Sequence, residues 1–306
     1  MIGYGVEYAT QESEFDGLSN LVLDYPYNVN YASVKFVTSG ISDDDIMTSL
    51  IIRIARRFGY PLRYGEHCLP ARVSLWNAIR IISASKGVMH KFCIVEGVPT
   101  VQVLEKLRKD KFLQGEITDP PAEGELLPDT YCFRYPTTRQ DIIDQAKKAM
   151  QEFLEKAWAE KSPDCRLKTP REVVTLASIV EKETQVEYAE VAGLYLNRLR
   201  IKMRLQADPT VIYAITKGQK FPRALTRDDL KFDDPYNTYM YDGLPPGPIA
   251  NPSKNSILGV LHPKKSNWLF MVADGVSAQH AFAETYEEHL QNCAKIRKER
   301  QARGRR

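Results

Sequence analysis

Apolar residues along this chain mostly recur three or four positions apart, as on one face of a helix, with a few short β-branched runs between them. Two stretches carry a weak internal repeat, "KFVTSGISDDDIMTSL" (35–50) and "KFCIVEGVPTVQVLEKL" (91–107). In each, a short β-branched run meets a glycine turn, at Gly40 or Gly97, and an apolar-periodic helix follows. Ile46 and Leu50 of the first copy match Val103 and Leu107 of the second. Between the copies, "LPARVSLWNAIRII" predicts a helix with Leu75, Ile79 and Ile82 on one face. After the second, "GELLPDTYCF" predicts a turn and a strand, and "TTRQDIIDQAKKAMQEFLEKAW" a long amphipathic helix.

The polar stretch "EKSPDCRLK" (160–168) is a plausible boundary. Beyond it, Thr169 as N-cap, Pro170 at the first helical position and Glu172 closing a capping box mark a helix start. The run to Arg200 is long for one helix, so a break is expected near Thr184–Tyr188. Asp208, followed by Pro209, is placed to cap another helix. "DDPYNTYMYDGLPPGPIANPS" cannot be regular throughout, because its prolines remove amide donors. "WLFMVA" reads as a strand, and "HAFAE" as its hairpin partner across an Asp274-Gly275 turn.

Within "LASIVEKETQ" (176–185), two glutamates stand on a mostly apolar helix. Glu181 and Glu183 are two apart, hence about 200° apart around the axis, and cannot both face one cleft. Periodicity alone does not choose between them. An acid at the edge of an apolar helix near its end is partly desolvated, which suits a general acid. Downstream, Gln206 and Asp208, and then Tyr236, Asn237, Thr238 and Tyr239 of "YNTY", are candidate binding residues. Aromatic faces beside amides and hydroxyls suit a sugar ring.

The chain has 306 residues, 43% hydrophobic, enough for two domains or one elaborated domain. Net charge is +3, with the strongest run in the basic tail "AKIRKERQARGRR" (294–306). Five cysteines at long spacings, with no CxxC, argue against a zinc ribbon or a disulfide framework and for buried free thiols. No metal site emerges from the scattered histidines, and no cofactor is implied. Nucleotide-binding, zinc-protease and serine-hydrolase motifs are missing, and the basic residues are not interleaved with aromatics as in nucleic-acid binders. No apolar run is long enough to span a membrane, and the start "MIGYGVEYATQESEFDG" is not a signal peptide.

"LASIVEKET", "NRLRIKMRLQADPTVIYAI", "YNTY", "GLPPGPI" and "LFMVADG…H.F", in this order from about Lys91 to His289, resemble the YceG-like endolytic murein transglycosylases (MltG). The resemblance implies an α+β protein with an N-terminal LysM-like strand–helix subdomain and a mixed α+β catalytic domain. The expected division is an N-terminal extension (1–30), a LysM-like and connecting region (31–165), a catalytic domain (166–292) and a basic tail (293–306). It implies cleavage of the β-1,4 bond between N-acetylmuramic acid and N-acetylglucosamine, forming 1,6-anhydro-muramyl ends and terminating glycan strand elongation. In "IVEKET" the resemblance puts the family's catalytic glutamate on Glu181, which leaves Glu183 a supporting or structural acid, and Gln206, Asp208, Tyr236, Asn237, Thr238 and Tyr239 stand as the expected substrate-binding set. One carboxyl suffices: it protonates the leaving oxygen, the sugar's 2-acetamido group stabilises C1, and the carboxylate then draws a proton from the C6 hydroxyl, which closes the ring.

Expected partners are peptidoglycan strands and peptidoglycan synthases, with no nucleic acid. The expected location is the cytoplasmic membrane with the catalytic part outside, held by an apolar N-terminal anchor that this sequence does not encode. The family's "NPG" is Asn251-Pro252-Ser253 here. Two competing readings are a two-carboxylate glycoside hydrolase using Glu181 and Asp208, and a non-enzymatic peptidoglycan-binding scaffold.

Overall fold

The computed structural model describes residues 18–24, 28–275, 277 and 279–303. The expected N-terminal extension lies largely outside them. The architecture is α+β, with small two-stranded sheets among helices, divided into two compact units.

The first unit comprises the chain up to Phe92 with Lys111–Gly115 and Cys132–Thr138. Strand β1 (Leu18–Leu23) leads through α1 (Val29–Thr38) and α2 (Asp45–Arg57) to β2 (Gly65–Pro70), which pairs antiparallel with β1, Leu21 opposite His67. Helix α3 (Leu75–Ala84) follows. Leu23, Phe36, Ala55, Leu69, Ile79 and Ile82 meet in the core, so the expected face of α3 is the buried one. The chain leaves this unit along β3 (His90–Cys93).

The internal repeat is not structural. Residues 35–38 belong to α1, not to a strand. Asn28 caps that helix through its side chain on the Tyr31 amide, and Ala32 and Phe36, one turn apart, are buried together. Helical burial and capping outweigh the short β-branched run. The matched faces differ too: Val103 and Leu107 are buried, but Ile46 and Leu50 are 80% and 49% exposed. Helix α2 buries Thr48, Ile52 and Ala55 instead. The glycine turns do hold, with φ of 70° at Gly40 and 68° at Gly97.

The second unit comprises Cys93–Asp110, Glu116–Tyr131 and the chain from Arg139 onward. Helix α4 (Thr100–Lys109) comes first; the short strands β4 (Leu113–Gln114) and β6 (Thr137–Thr138) pair in parallel within the first unit. The expected strand after "GELLPD" is β5 (Thr130–Phe133). The long amphipathic helix is α5 (Arg139–Ala159). Helix α6 (Pro170–Glu183) starts with the complete capping box: Thr169 accepts from the Glu172 amide while Glu172 accepts from the Thr169 amide. It ends at Thr184, whose hydroxyl accepts from the Val186 and Glu187 amides, and α7 (Tyr188–Arg200) restarts at the expected break. Helices α8 (Asp208–Thr216) and α9 (Lys254–Leu261) follow, then the antiparallel hairpin of β7 (Phe270–Ala273) and β8 (His280–Ala283), and α10 (Tyr286–Arg303), which carries residues 294–303 of the basic run.

The core of this unit lies where α6, α7 and α9 meet, around Leu176, Ile179, Val180, Leu194, Ile257 and Val260. Gly259 permits the close approach of α9 to α7: a Cβ there would stand 2.7 Å from the Tyr188 Cβ and 2.8 Å from its backbone.

The cysteines correct the expectation of buried thiols. All are free, but only Cys165 is buried; Cys68, Cys93 and Cys132 are exposed. Each exposed one sits on an outward position of a strand, where period-two alternation turns it to solvent.

Candidate functional site

Glu181 and Glu183 leave α6 in different directions, and each enters its own polar cluster within the second unit. Around Glu181, Oε2 accepts from the Ser253 amide at 2.9 Å and from the Ser253 hydroxyl. Ser253 is the N-cap of α9, so this carboxyl is tied to a helix start. Gly97 lies against the Glu181 stem, where a Cβ would stand 3.2 Å from Cγ, and the Lys182 ammonium donates to the Gly97 carbonyl. Asn251 stitches this loop down: its side-chain amide donates to the Val98 carbonyl at 3.0 Å and its Oδ1 accepts from the Leu126 amide at 3.1 Å. Beside it, burial and then the Glu181 charge push the Glu96 carboxyl up. The stretches "VEG" (95–97), "NPS" (251–253) and the first glutamate of "EKE" thus form one cluster.

The second glutamate is surrounded by parts of the remaining stretches. The Tyr195 hydroxyl of α7 donates to Glu183 Oε1 at 3.1 Å. Burial pushes the Glu183 carboxyl above its ordinary value. The Tyr195 bond acts against that rise, the Asp208 charge adds to it, and His280 and Arg198 oppose it. Glu183 as a residue is intermediate in exposure, as Glu181 is. Arg198 is buried one turn after Tyr195, its Nε donating to the Leu269 carbonyl at 2.7 Å and its Nη1 to the Leu205 carbonyl at 2.6 Å. It thereby ties α7 to the entry of β7 and to the segment ahead of α8. His280, at the start of β8, holds Glu187 twice through one carboxylate oxygen: the backbone amide donates at 2.8 Å and the ring Nδ1 lies at 2.9 Å.

Asp208 does not cap its helix. The helix N-cap is Ala207, with no side-chain cap, and the Asp208 carboxylate instead accepts from the Tyr239 hydroxyl at 2.6 Å. Burial and Asp208 hold that phenol up, in its protonated form. Gln206 is exposed and held at φ 48°, a left-handed conformation uncommon for a residue with a side chain, costing on the order of 1–3 kcal/mol. Bonds from its amide to the Thr238 carbonyl and from the Ala207 amide to Thr238 Oγ1 fix the segment there.

The "YNTY" stretch splits. Tyr239 reaches Asp208. Asn237 is 0% exposed, and its amide donates to the Leu230 and Phe232 carbonyls while its Oδ1 accepts from the Tyr239 amide. Thr238 is buried against Thr210. These two side chains are buried and hydrogen-bonded within the loop. Tyr236 packs on Tyr213, with ring centroids 4.9 Å apart, and lies under the Lys217 ammonium. Its hydroxyl sits by Gly247 of "GLPPGPI", and neither glutamate of α6 is among these neighbours.

Tyr195, Arg198, Glu187 and His280 were not singled out from sequence. Arg198 left one signal: it falls on the stripe Val191, Leu194, Tyr195, Arg198, where a charge among buried positions needs a partner.

Among the described residues no group of three or more His, Cys, Asp or Glu is arranged to hold a metal, and no helix is long and apolar enough to cross a membrane. An endolytic murein transglycosylase of Bacillus subtilis is 38% identical over 172 residues, covering 55% of this chain and 46% of that protein. One of Streptococcus pneumoniae is 36% identical over 179 residues, covering 56% and 32%. The chain thus spans less than half the length of either curated relative. A 2.6 Å crystal structure of a yceG-like protein from Listeria monocytogenes superposes with a TM-score of 0.56 at 25% identity, covering 90% of this chain and 99% of that one. The YceG-like family profile matches residues 29–295, and the chain belongs to that family.

Proposed function

We propose that this protein is an endolytic peptidoglycan lytic transglycosylase, and that Glu183 carries the proton. The observation behind the second part is the environment of Glu183: a residue of intermediate exposure whose carboxyl is raised by burial and by the Asp208 charge and accepts a bond from Tyr195. A general acid must be protonated when substrate arrives and still reach it. Glu181 accepts two hydrogen bonds from Ser253 at the start of α9, an arrangement suited to holding a loop in place. The names of the relatives support the substrate class.

In this reading Glu183 protonates the glycosidic oxygen between N-acetylmuramic acid and N-acetylglucosamine. The substrate's 2-acetamido group stabilises C1, and Glu183, now a carboxylate, takes the C6 hydroxyl proton as that oxygen closes the 1,6-anhydro ring. Asp208 and Tyr239 line the same cluster and are placed to orient the sugar. The LysM-like reading of the first unit, peptidoglycan synthases as partners and an extracytoplasmic, membrane-held location belong to the same proposal.

The test is digestion of purified sacculi by wild type, Glu181→Gln and Glu183→Gln, with mass spectrometry of the products. Wild type is expected to yield anhydro ends. Glu183→Gln is expected to lose about 10²–10⁴-fold in rate, as for loss of a general acid, and Glu181→Gln less. The reverse ranking, with both variants folded, returns the role to Glu181. Because Asp208 is a second carboxylate beside Glu183, hydrolysis is the competing chemistry. Reducing ends in place of anhydro ends would establish it.

A further inference from the structure

The face of α7 turned away from Glu183 lines a cavity of about 620 Å³, within the range of small-ligand sites. Gly193, Asn197 and Arg200 follow the helical repeat on this face, whereas Tyr195 and Arg198 lie on the other. The facing wall is the segment 263–267, and it is locked in place. A Cβ on Gly193 would stand 2.4 Å from the Lys264 carbonyl oxygen, so only glycine allows the approach. The Lys264 amide donates to the Ala189 carbonyl at 2.9 Å, and the Asn197 side chain donates to the Ser266 carbonyl at 2.8 Å.

Four cations line this cavity: Arg166, Arg200, Lys264 and Lys265. Lys264 leans on Glu190 at 3.3 Å. The other three have no ion-pair partner among the described residues, and Asp164 is the one carboxylate in the lining.

We propose that this cavity binds a phosphate-bearing anion, independently of the glycan chemistry at Glu183. A carboxylate is satisfied by one guanidinium. Two guanidiniums and a free ammonium together match the charge and the several oxygens of a phosphate group. The ligand is either a free oligophosphate or a lipid headgroup whose first methylenes rest on Leu196 and Leu199, which also line the cavity.

The experiment uses the full chain in two arms: calorimetric titration with tripolyphosphate, and co-sedimentation with vesicles of phosphatidylcholine alone or mixed with phosphatidylglycerol. Binding in at least one arm is expected, weakened roughly tenfold or more in R166Q/R200Q/K265Q. A control triple variant of α10, K295Q/R297Q/K298Q, is expected to bind as wild type. Vesicle binding alone assigns the ligand to a lipid headgroup, and tripolyphosphate binding alone to a free anion. No binding in either arm overturns the proposal. So does an equal loss in the α10 control, or equally tight binding of poly-glutamate. If R166Q/R200Q/K265Q does not fold, the single variants R166Q and R200Q decide, and unchanged binding by both overturns the site.

Discussion

Glu183 and Asn237 show how much a side chain's surroundings decide its use. Burial raises the Glu183 carboxyl and the Asp208 charge adds to it. The protonated form therefore persists above the ordinary carboxylate range and is lost as pH rises through the raised value. The same sign holds for stability: the contribution is full at low pH and falls as pH rises through the folded-state value. The alkaline limb of kcat/KM is expected above the ordinary glutamate range, and Asp208→Asn, which removes the raising charge, is expected to move it to lower pH. A limb that moves up or stays put in a pH–rate profile would argue against Glu183 as the acid. Asn237→Ala leaves two carbonyls and one amide, in part-buried bonds, short of partners. It is expected to cost about 1–3 kcal/mol, since solvent can replace some of the lost bonds. A clearly lowered melting temperature is the readout; unchanged melting with lost activity would restore Asn237 to the substrate. Composition made Asn237 look like a sugar ligand because an amide reads the same whether it faces a glycan or two carbonyls. Only the fold of the 230–239 loop distinguishes them.

At the scale of elements, what is written locally was legible. Thr169, Pro170 and Glu172 announce the start of α6 because a capping box is satisfied within four residues. The break at Thr184, the α7 restart and the β7–β8 hairpin follow from the same local chemistry. What failed was non-local. Residues 35–38 have strand-like composition but fold as helix because Phe36 finds Leu23 and Ile79 in a shared core. The outward cysteines depend on strand register. Removing the Thr169 cap tests the local part: Thr169→Ala is expected to lower the stability of the second unit by about 1 kcal/mol, read as an earlier thermal transition. Because α6 carries both glutamates on one rigid rod, the same change is expected to affect activity far less than Glu183→Gln. A comparable loss of activity with normal melting would mean that the helix start has a direct role in catalysis.

For the whole molecule, the family and the α+β class were legible from ordered motifs, each stretch weak alone and informative in sequence. The clusters they form were not, since Tyr195, which bonds Glu183, and Asp208 and His280, whose charges act on it, come from three separate elements. The division into units was not visible in composition either. The first unit takes its last piece from Cys132–Thr138, after the chain has twice entered the second unit. That threading has a consequence for biosynthesis. Domains generally fold as units as they emerge from the ribosome, N-terminal first. Here the first unit cannot be completed when Phe92 emerges, and its final strand β6 arrives only with Thr138. Ribosome-arrested chains just long enough to expose Phe92 but not Thr138 are expected to stay protease-sensitive in the first unit. Chains long enough to expose Thr138 are expected to gain protection there, before α6 and its two glutamates have been made. Full protection of the shorter chains would show that β4 and β6 are dispensable to that fold.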